Sequence, residues 1–365
     1  MKRSARITIH PESLQHNLNR AKHLAPNSNL LAVIKANAYG HNSVDTAGIL
    51  YEIAQGFAVA CIPEAVVLRD AAIDKPLTIL QGFQNDRDLR IAEQLDLRLT
   101  VHDDNQLRLL ENHSAKSAYR FKLNIKVDSG MHRLGFQPER AESIYNNLSK
   151  LSQIDPDQLI MMTHFSSADD LDNECTSNQI AVFNKACANI KAPQSIANSA
   201  GILGWQASHS DWIRPGILLY GSSPFANKTR DELDLKSAMT FEAPVISVHD
   251  LKKGDCIGYA QSWTCDKDMR VAVIGCGYAD GYPRHAPSNT PVWLNGEETK
   301  LLGRVSMDMI VVDVDERNHD NYKINPVKVG DIAELWGKNV SADRVATAAE
   351  TIAYEILCNA GNIRS

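Results

Sequence analysis

A lysine that directly follows an apolar run is rarely a solvated surface charge, and Lys35 follows LLAVI, residues 30–34. An ammonium drawn into such surroundings loses hydration, its pKa falls, and the free amine can serve as nucleophile or base. The bland alternative is a stem that lies along apolar surface while the charge snorkels out. Polar groups recur at later apolar runs: after the fifth and sixth, at the seventh and just before the eighth. KVDSGMHRLGF carries Lys126, Asp128 and Arg133 around Gly130 and Gly135; THFSSAD carries His164; ANSAGI carries Asn198 and Ser199; WIRPGILLYG carries Arg214. Each alone has a structural explanation, His164 as a satisfied core histidine for instance. Gathered on one rim, they point to a reaction site. Glycine-rich backbone and helix N-termini beside the last of them suit a phosphate, at Ser199, Gly201, Gly216 and Ile217.

Elements that could gather them are legible in the hydrophobic pattern. Short apolar runs alternate with amphipathic stretches through the first two thirds of the chain. The runs are 30–34, 56–60, 77–82, 97–102, 121–127, 159–165, 195–199 and, as the eighth, GILLYG at 216–221. Helical patterns lie between most of them, such as Pro63 to Ala72 and Glu139 to Leu151. Apolar strands followed by helices read as parallel strands buried on both faces. Eight such units over about 200 residues predict a (β/α)8 TIM barrel, an α/β fold, spanning 11–236. Active residues of such barrels sit where strands end and loops begin. From about Met239 the pattern turns β-rich, with Gly, Pro, Asn and Asp between short segments, until a helical pattern at Asp343 to Cys358. This predicts a mainly β C-terminal domain over 237–365, joined by the alternating residues 1–10.

Composition narrows the class. The chain has 365 residues, 44% hydrophobic and 22% charged, so disorder and disulfide scaffolds are excluded as the main state. Its net charge, 38 − 44 = −6, argues against a broad nucleic-acid surface. No apolar stretch approaches the ~18 residues of a membrane span, and MKRSARITIH opens without the apolar run of a signal peptide. Seven cysteines without a CxxC pair read as reduced thiols of a cytoplasmic protein and supply no zinc spacing, so no metal is expected.

A lysine nucleophile beside a phosphate site suggests pyridoxal 5'-phosphate, which bonds to lysine amines; a resemblance carries that suggestion. AVIKANAYGH closely resembles the cofactor-lysine motif of the alanine racemase family. KVDSGMHRLGF, THFSSAD, NSA, RPGILLYG, GYADGYPR, GRVSMDM and YEILC follow in the family's order along nearly the whole chain. The resemblance implies interconversion of L- and D-alanine, a peptidoglycan precursor, by a homodimer with shared sites. Lys35 would hold the cofactor and act as one acid/base group; Tyr259, reaching the partner subunit's barrel, would be the other. Two groups are needed because the α-proton leaves one face and returns on the opposite one. A phenol has a pKa of about 10, so a nearby cation must depress that of Tyr259, and His164 and Arg214 are implied for this. Arg214 would also donate to the pyridine nitrogen without surrendering a proton.

By the same resemblance, Arg133 contacts the ring hydroxyl and the substrate carboxylate. Met307 and Asp308 complete the carboxylate site from the partner subunit. Tyr39, Asn198, Ser199, Gly216, Ile217 and Tyr354 belong to the cofactor site, and Tyr278, Arg284 and Arg304 line the entry corridor. Lys126 matches a lysine often found carbamylated. The sequence departs from the family at Asn42, where Gly is usual, at Gly258 and Ala260 in place of Ser and Gly, and at Ala353 in place of Pro. Other readings are a racemase of broader amino-acid scope, a related barrel decarboxylase, and a non-catalytic carrier of the cofactor. A carrier would resemble the barrel alone, so the β domain bearing Tyr259 argues against it.

Overall fold

The structure, a computed structural model, describes residues 3–113 and 119–361. Of the domain limits read from the sequence, residues 1–2 and 362–365 lie outside the described residues. Strand β1 (Arg6–Ile9) precedes a closed barrel of eight parallel strands. These are β2 (Asn29–Val33), β3 (Gly56–Val59), β4 (Leu77–Ile79), β5 (Leu97–Val101), β6 (Phe121–Lys126), β7 (Ile154–Met162), β8 (Gln194–Ser195) and β9 (Trp212–Ile213). Closure comes from Asn29 and Leu30 of β2 pairing with Trp212 and Ile213 of β9. The strands are buried on both faces, which is why they read as continuous apolar runs. Among the described residues no helix is long and apolar enough to cross a membrane.

The eighth strand departs from expectation. GILLYG is not a strand; Ile217–Tyr220 form one turn of 3-10 helix, closed by Gly221 at φ 76°. It packs as a helical turn, with the Tyr220 hydroxyl donating to the Val33 carbonyl (2.9 Å) and Asn17 Nδ2 to the Leu219 carbonyl (2.9 Å). A four-residue apolar run is buried equally well as strand or helix, so periodicity cannot separate them. The true strand, two residues long, leaves no apolar run to read. Arg214 therefore directly follows the last strand.

The second unit is antiparallel. Its strands are β10 (Met239–Leu251), β11 (Cys256–Ile257), β12 (Trp263–Thr264), β13 (Met269–Ile274), β14 (Pro291–Leu294), β15 (Glu297–Leu302), β16 (Ile310–Asp313) and β17 (Ile332–Trp336). The main sheet runs β1-β10-β13-β16-β15-β14-β17, and a β10–β17 pairing folds it back on itself. β11 and β12 form a separate hairpin. The closing helical pattern is split: helix Ala342–Ala348 ends near Glu350, at φ 54°, and a second helix, Ala353–Gly361, turns back to the barrel. There Gly40 and Gly361 touch backbone to backbone; a Cβ on Gly361 would lie 2.2 Å from the Gly40 Cα. Only glycine allows that approach, and it carries Tyr354 to the barrel mouth.

Candidate active site

Lys35 stands at the end of β2 and opens a turn wound the wrong way. Ala36, Asn37, Ala38 and Tyr39 all have φ between 52° and 54°. Left-handed backbone costs about 1–2 kcal/mol per non-glycine residue, so the surroundings must hold it. Glu64 does part of this: Oε1 accepts from the Ala36 N–H (2.7 Å) and Oε2 from the Ala60 N–H (2.6 Å). Asn37 Oδ1 accepts from Ser43 N (2.9 Å). The lysine is thereby fixed at the mouth, half-buried. Burial first, then the charge of Arg133, depresses its pKa.

Three further cations face the same space. Lys126, at the end of β6, is 8% exposed, and burial, followed by Arg214 and Arg133, pushes its amine down to about 8. Arg133 is exposed, on a loop shaped by Asp128, whose Oδ1 accepts from the N–H groups of Gly130 (3.0 Å), Met131 (3.1 Å) and His132 (3.0 Å). Arg214 is buried. Its Nη1 donates to the carbonyl and hydroxyl of Ser195 (both 2.7 Å), and its Nη2 to the carbonyls of Thr163 (2.6 Å) and Ile196 (3.0 Å) and to His164 Nδ1 (3.4 Å). None of these partners is a carboxylate. Burial lowers its pKa to about 10, which leaves it charged at neutral pH. His164 is pushed well below its ordinary value by burial and then by Arg214 and Lys126, so its imidazole is neutral.

The far side of the mouth is built from backbone and hydroxyls. Asn198 caps the helix Ser199–Gly204, its Oδ1 accepting from Gly201 N (2.9 Å). The Ser199 hydroxyl accepts from Gly216 N (2.8 Å). A Cβ on Gly216 would lie 3.1 Å from the Tyr39 hydroxyl, so the glycine keeps a narrow space clear. The Tyr39 ring stacks on Tyr220 (centroids 4.7 Å) and leans toward Tyr354 (5.8 Å). Burial raises the pKa of both tyrosines that face the cavity, Tyr354 to about 12. Together these residues, with Ile217, surround a cavity of about 800 Å³ in which, among the described residues, Asp169 is the one carboxylate against four Lys and Arg side chains.

Tyr259, Met307, Asp308, Tyr278, Arg284 and Arg304 are not among the residues lining that cavity. Tyr259 is 67% exposed on the turn between β11 and β12. Gly258 suits its φ of 72°, whereas Ala260 holds φ 59° at a cost glycine would avoid. Met307 is 53% exposed, and Asp308 accepts from Arg3 Nη2 (2.6 Å). Tyr278 and Arg284 line a separate cavity of about 440 Å³ beside Glu355. Sequence reasoning missed Glu64, Ser195, Thr163 and Tyr220. Glu64 lies in the helix read from Pro63, where an acidic residue in the first turn has a helix-dipole explanation that hides its reach across the loops.

Four cations over a carboxylate-poor cavity, one of them a half-buried lysine, define a barrel enzyme that handles a small anion beside an amine. The comparisons with known proteins narrow the class. The sequence profile of the alanine racemase N-terminal domain matches residues 9–224, and that of its C-terminal domain 238–364. An alanine racemase of Halorhodospira halophila is 44% identical over 358 residues, covering 98% of this chain and 96% of that one. A catabolic alanine racemase of Pseudomonas putida is 42% identical over 98% and 97%. The solved biosynthetic alanine racemase of Pseudomonas aeruginosa superposes with TM-score 0.92 at 36% identity, covering 99% of this chain and 97% of that one. The chain belongs to the alanine racemase family.

Proposed function

We propose that this chain is a cytoplasmic enzyme that interconverts L- and D-alanine, supplying D-alanine for peptidoglycan. Pyridoxal 5'-phosphate would be held at the barrel mouth, with each site completed by a second copy of the chain. The observation that carries the reading is the mouth itself: Lys35, Lys126, Arg133 and Arg214 facing about 800 Å³ with Asp169 as the sole carboxylate among the described residues. Cations gathered at one cavity, two of them buried, with so little acidic partnership call for anionic ligands. A phosphate, a ring hydroxyl and a substrate carboxylate meet that demand. The space kept by Gly216 between Tyr39 and Ser199 fits a phosphate approached closely by backbone.

Lys35 would hold the cofactor, and Tyr39, Asn198, Ser199, Gly216, Ile217 and Tyr354 its phosphate. Arg133 would bind the ring hydroxyl and the substrate carboxylate. When bound, the pyridoxal ring withdraws electrons from the α-carbon and acidifies its proton. Lys35, with its depressed pKa, removes or returns that proton on one face, and Tyr259 of the partner subunit does so on the other. Of the two groups implied beside Tyr259, Arg214 carries the charge, because His164 is neutral and its Nδ1 lies 3.4 Å from the guanidinium. Arg214 keeps its own proton at neutral pH, so toward the pyridine nitrogen it would act as a hydrogen-bond donor only, which would disfavour transamination. Met307 and Asp308 of the partner subunit close the carboxylate site, while Tyr278, Arg284 and Arg304 guard the entrance. Lys126 would take up carbon dioxide, releasing a proton and forming a carbamate whose negative charge orients Arg133.

Mixing variants tests the shared site. Lys35→Ala and Tyr259→Phe should each be inactive alone, with Tyr259→Phe keeping the cofactor's visible absorbance. After unfolding and refolding together, half the dimers would be mixed and each would carry one intact site of two. About one quarter of wild-type activity should return. No recovery, or a fully active Tyr259→Phe, would refute the two-base assignment.

A further inference from the structure

The barrel has a second cavity at its floor, on the opposite side from Lys35. It measures about 140 Å³ and is walled by Leu31, Leu77, Ile160 and Trp212. An apolar cavity of about 150 Å³ accepts a single benzene ring. This one differs in carrying a buried guanidinium bonded only to neutral groups and an amide nitrogen with no partner.

The first is Arg98, on β5. Its Nη1 donates to the carbonyls of Gln158 (2.5 Å) and Leu123 (3.4 Å), and its Nη2 to Gln158 Oε1 (2.6 Å). All are neutral. Asp96, at the same rim, is already paired with Lys122 (2.6 Å). Burial draws the Arg98 guanidinium down to about 10, against the opposing charges of Asp155 and Asp96, neither of which is among its hydrogen-bond partners. The second is Asn124. On β6, side chains alternate, so Asn124 faces the barrel interior like Lys126, two residues on. It is 1% exposed, and its Nδ2 has no partner. Thr100, opposite it in the β5–β6 register, likewise leaves Oγ1 unpartnered. Buried polar atoms are normally satisfied, so a ligand with acceptor oxygens is the missing element.

We propose that the barrel floor is a binding site for a small monocarboxylate bearing one aromatic ring or an apolar body of that size. Its carboxylate accepts from Arg98 and Asn124, and its body fills the space between Leu31, Leu77 and Trp212. Occupancy would reach the mouth from below. Ser195 lines the floor cavity and also accepts twice from Arg214 Nη1, so a ligand pressing on Ser195 shifts the guanidinium.

Titration calorimetry of the cofactor-loaded protein with benzoate tests this without relying on turnover. One benzoate per chain should bind, and saturating alanine, which occupies the mouth, should not displace it. Asn124→Leu, which replaces the unpaired amide with a methyl-bearing chain of similar volume, should weaken binding at least about tenfold. Arg98→Gln should weaken it at least as much; should that variant fail to fold for want of its ties to Gln158, Asn124→Leu still decides. Displacement of benzoate by alanine, binding that survives Asn124→Leu, or no heat at any benzoate concentration would overturn the proposal.

Discussion

Replacing Lys126 by methionine should stabilise the protein at neutral pH. In an unfolded chain the amine titrates at 10.5; in the folded barrel, burial and the neighbouring Arg214 and Arg133 bring it to about 8. At 1.36 kcal/mol per pH unit, holding the protonated amine in place costs folding about 3 kcal/mol. The sign follows from proton affinity. Between pH 8 and 10.5 the unfolded state binds the proton more tightly, so stability rises with pH across that window as the penalty is relieved. Below pH 8 both states are protonated and the full penalty stands; above 10.5 it is gone. Methionine has nearly the same length and no charge, in a position only 8% exposed. Lys126→Met should therefore gain up to about 3 kcal/mol at pH 7, with the advantage shrinking to nothing by about pH 10.5. Urea denaturation of the cofactor-free protein measures this, at one protein concentration and in buffer free of carbon dioxide, from pH 7 to 10. A variant no more stable than wild type at pH 7, or an advantage that does not shrink with pH, would refute the reasoning. Adding bicarbonate should narrow the gap by stabilising wild type alone.

Two local substitutions test how the mouth is held. Glu64→Ala removes the acceptors of the Ala36 and Ala60 N–H groups, which can turn to water, and should cost about 0.5–1.5 kcal/mol in thermal or urea unfolding, with a loss of racemisation rate larger than the loss of folded protein. Asn42→Gly should be close to neutral. Glycine suits its φ of 71°, and the lost cap bonds to Val44 and Asp45 N–H are weak, so unfolding free energy should move by only a few tenths of a kcal/mol.

The barrel was legible because a parallel strand buried on both faces writes itself as an apolar run, and seven of the runs read from the chain overlap strands of the barrel. The eighth failed where that rule has no purchase: β9 is too short to form a run, and the apolar ILLY beside it is a buried helical turn. Strand-end residues were legible for the same reason. Lys35, Lys126, His164 and Arg214 each follow a run or lie against one, and the barrel brings them to a single cavity. Glu64 and Ser195 escaped notice because their roles depend on which loop meets which across the barrel, a property of three-dimensional approach rather than of spacing. Tyr259, Met307 and Asp308 carry no local signal at all. Their sequence neighbourhoods read as hairpin and loop, and only the family resemblance attached chemistry to them. The left-handed turn from Ala36 to Tyr39 was equally hidden, since alanine and tyrosine give no hint of positive φ.

Racemisation itself is tested most directly by following the circular dichroism of alanine solutions incubated with the purified protein and pyridoxal 5'-phosphate. L-alanine and D-alanine, in separate samples, should both lose their signals to zero, from opposite signs. Signals that persist beside an intact cofactor absorbance band would contradict the account, as would decay from one enantiomer only.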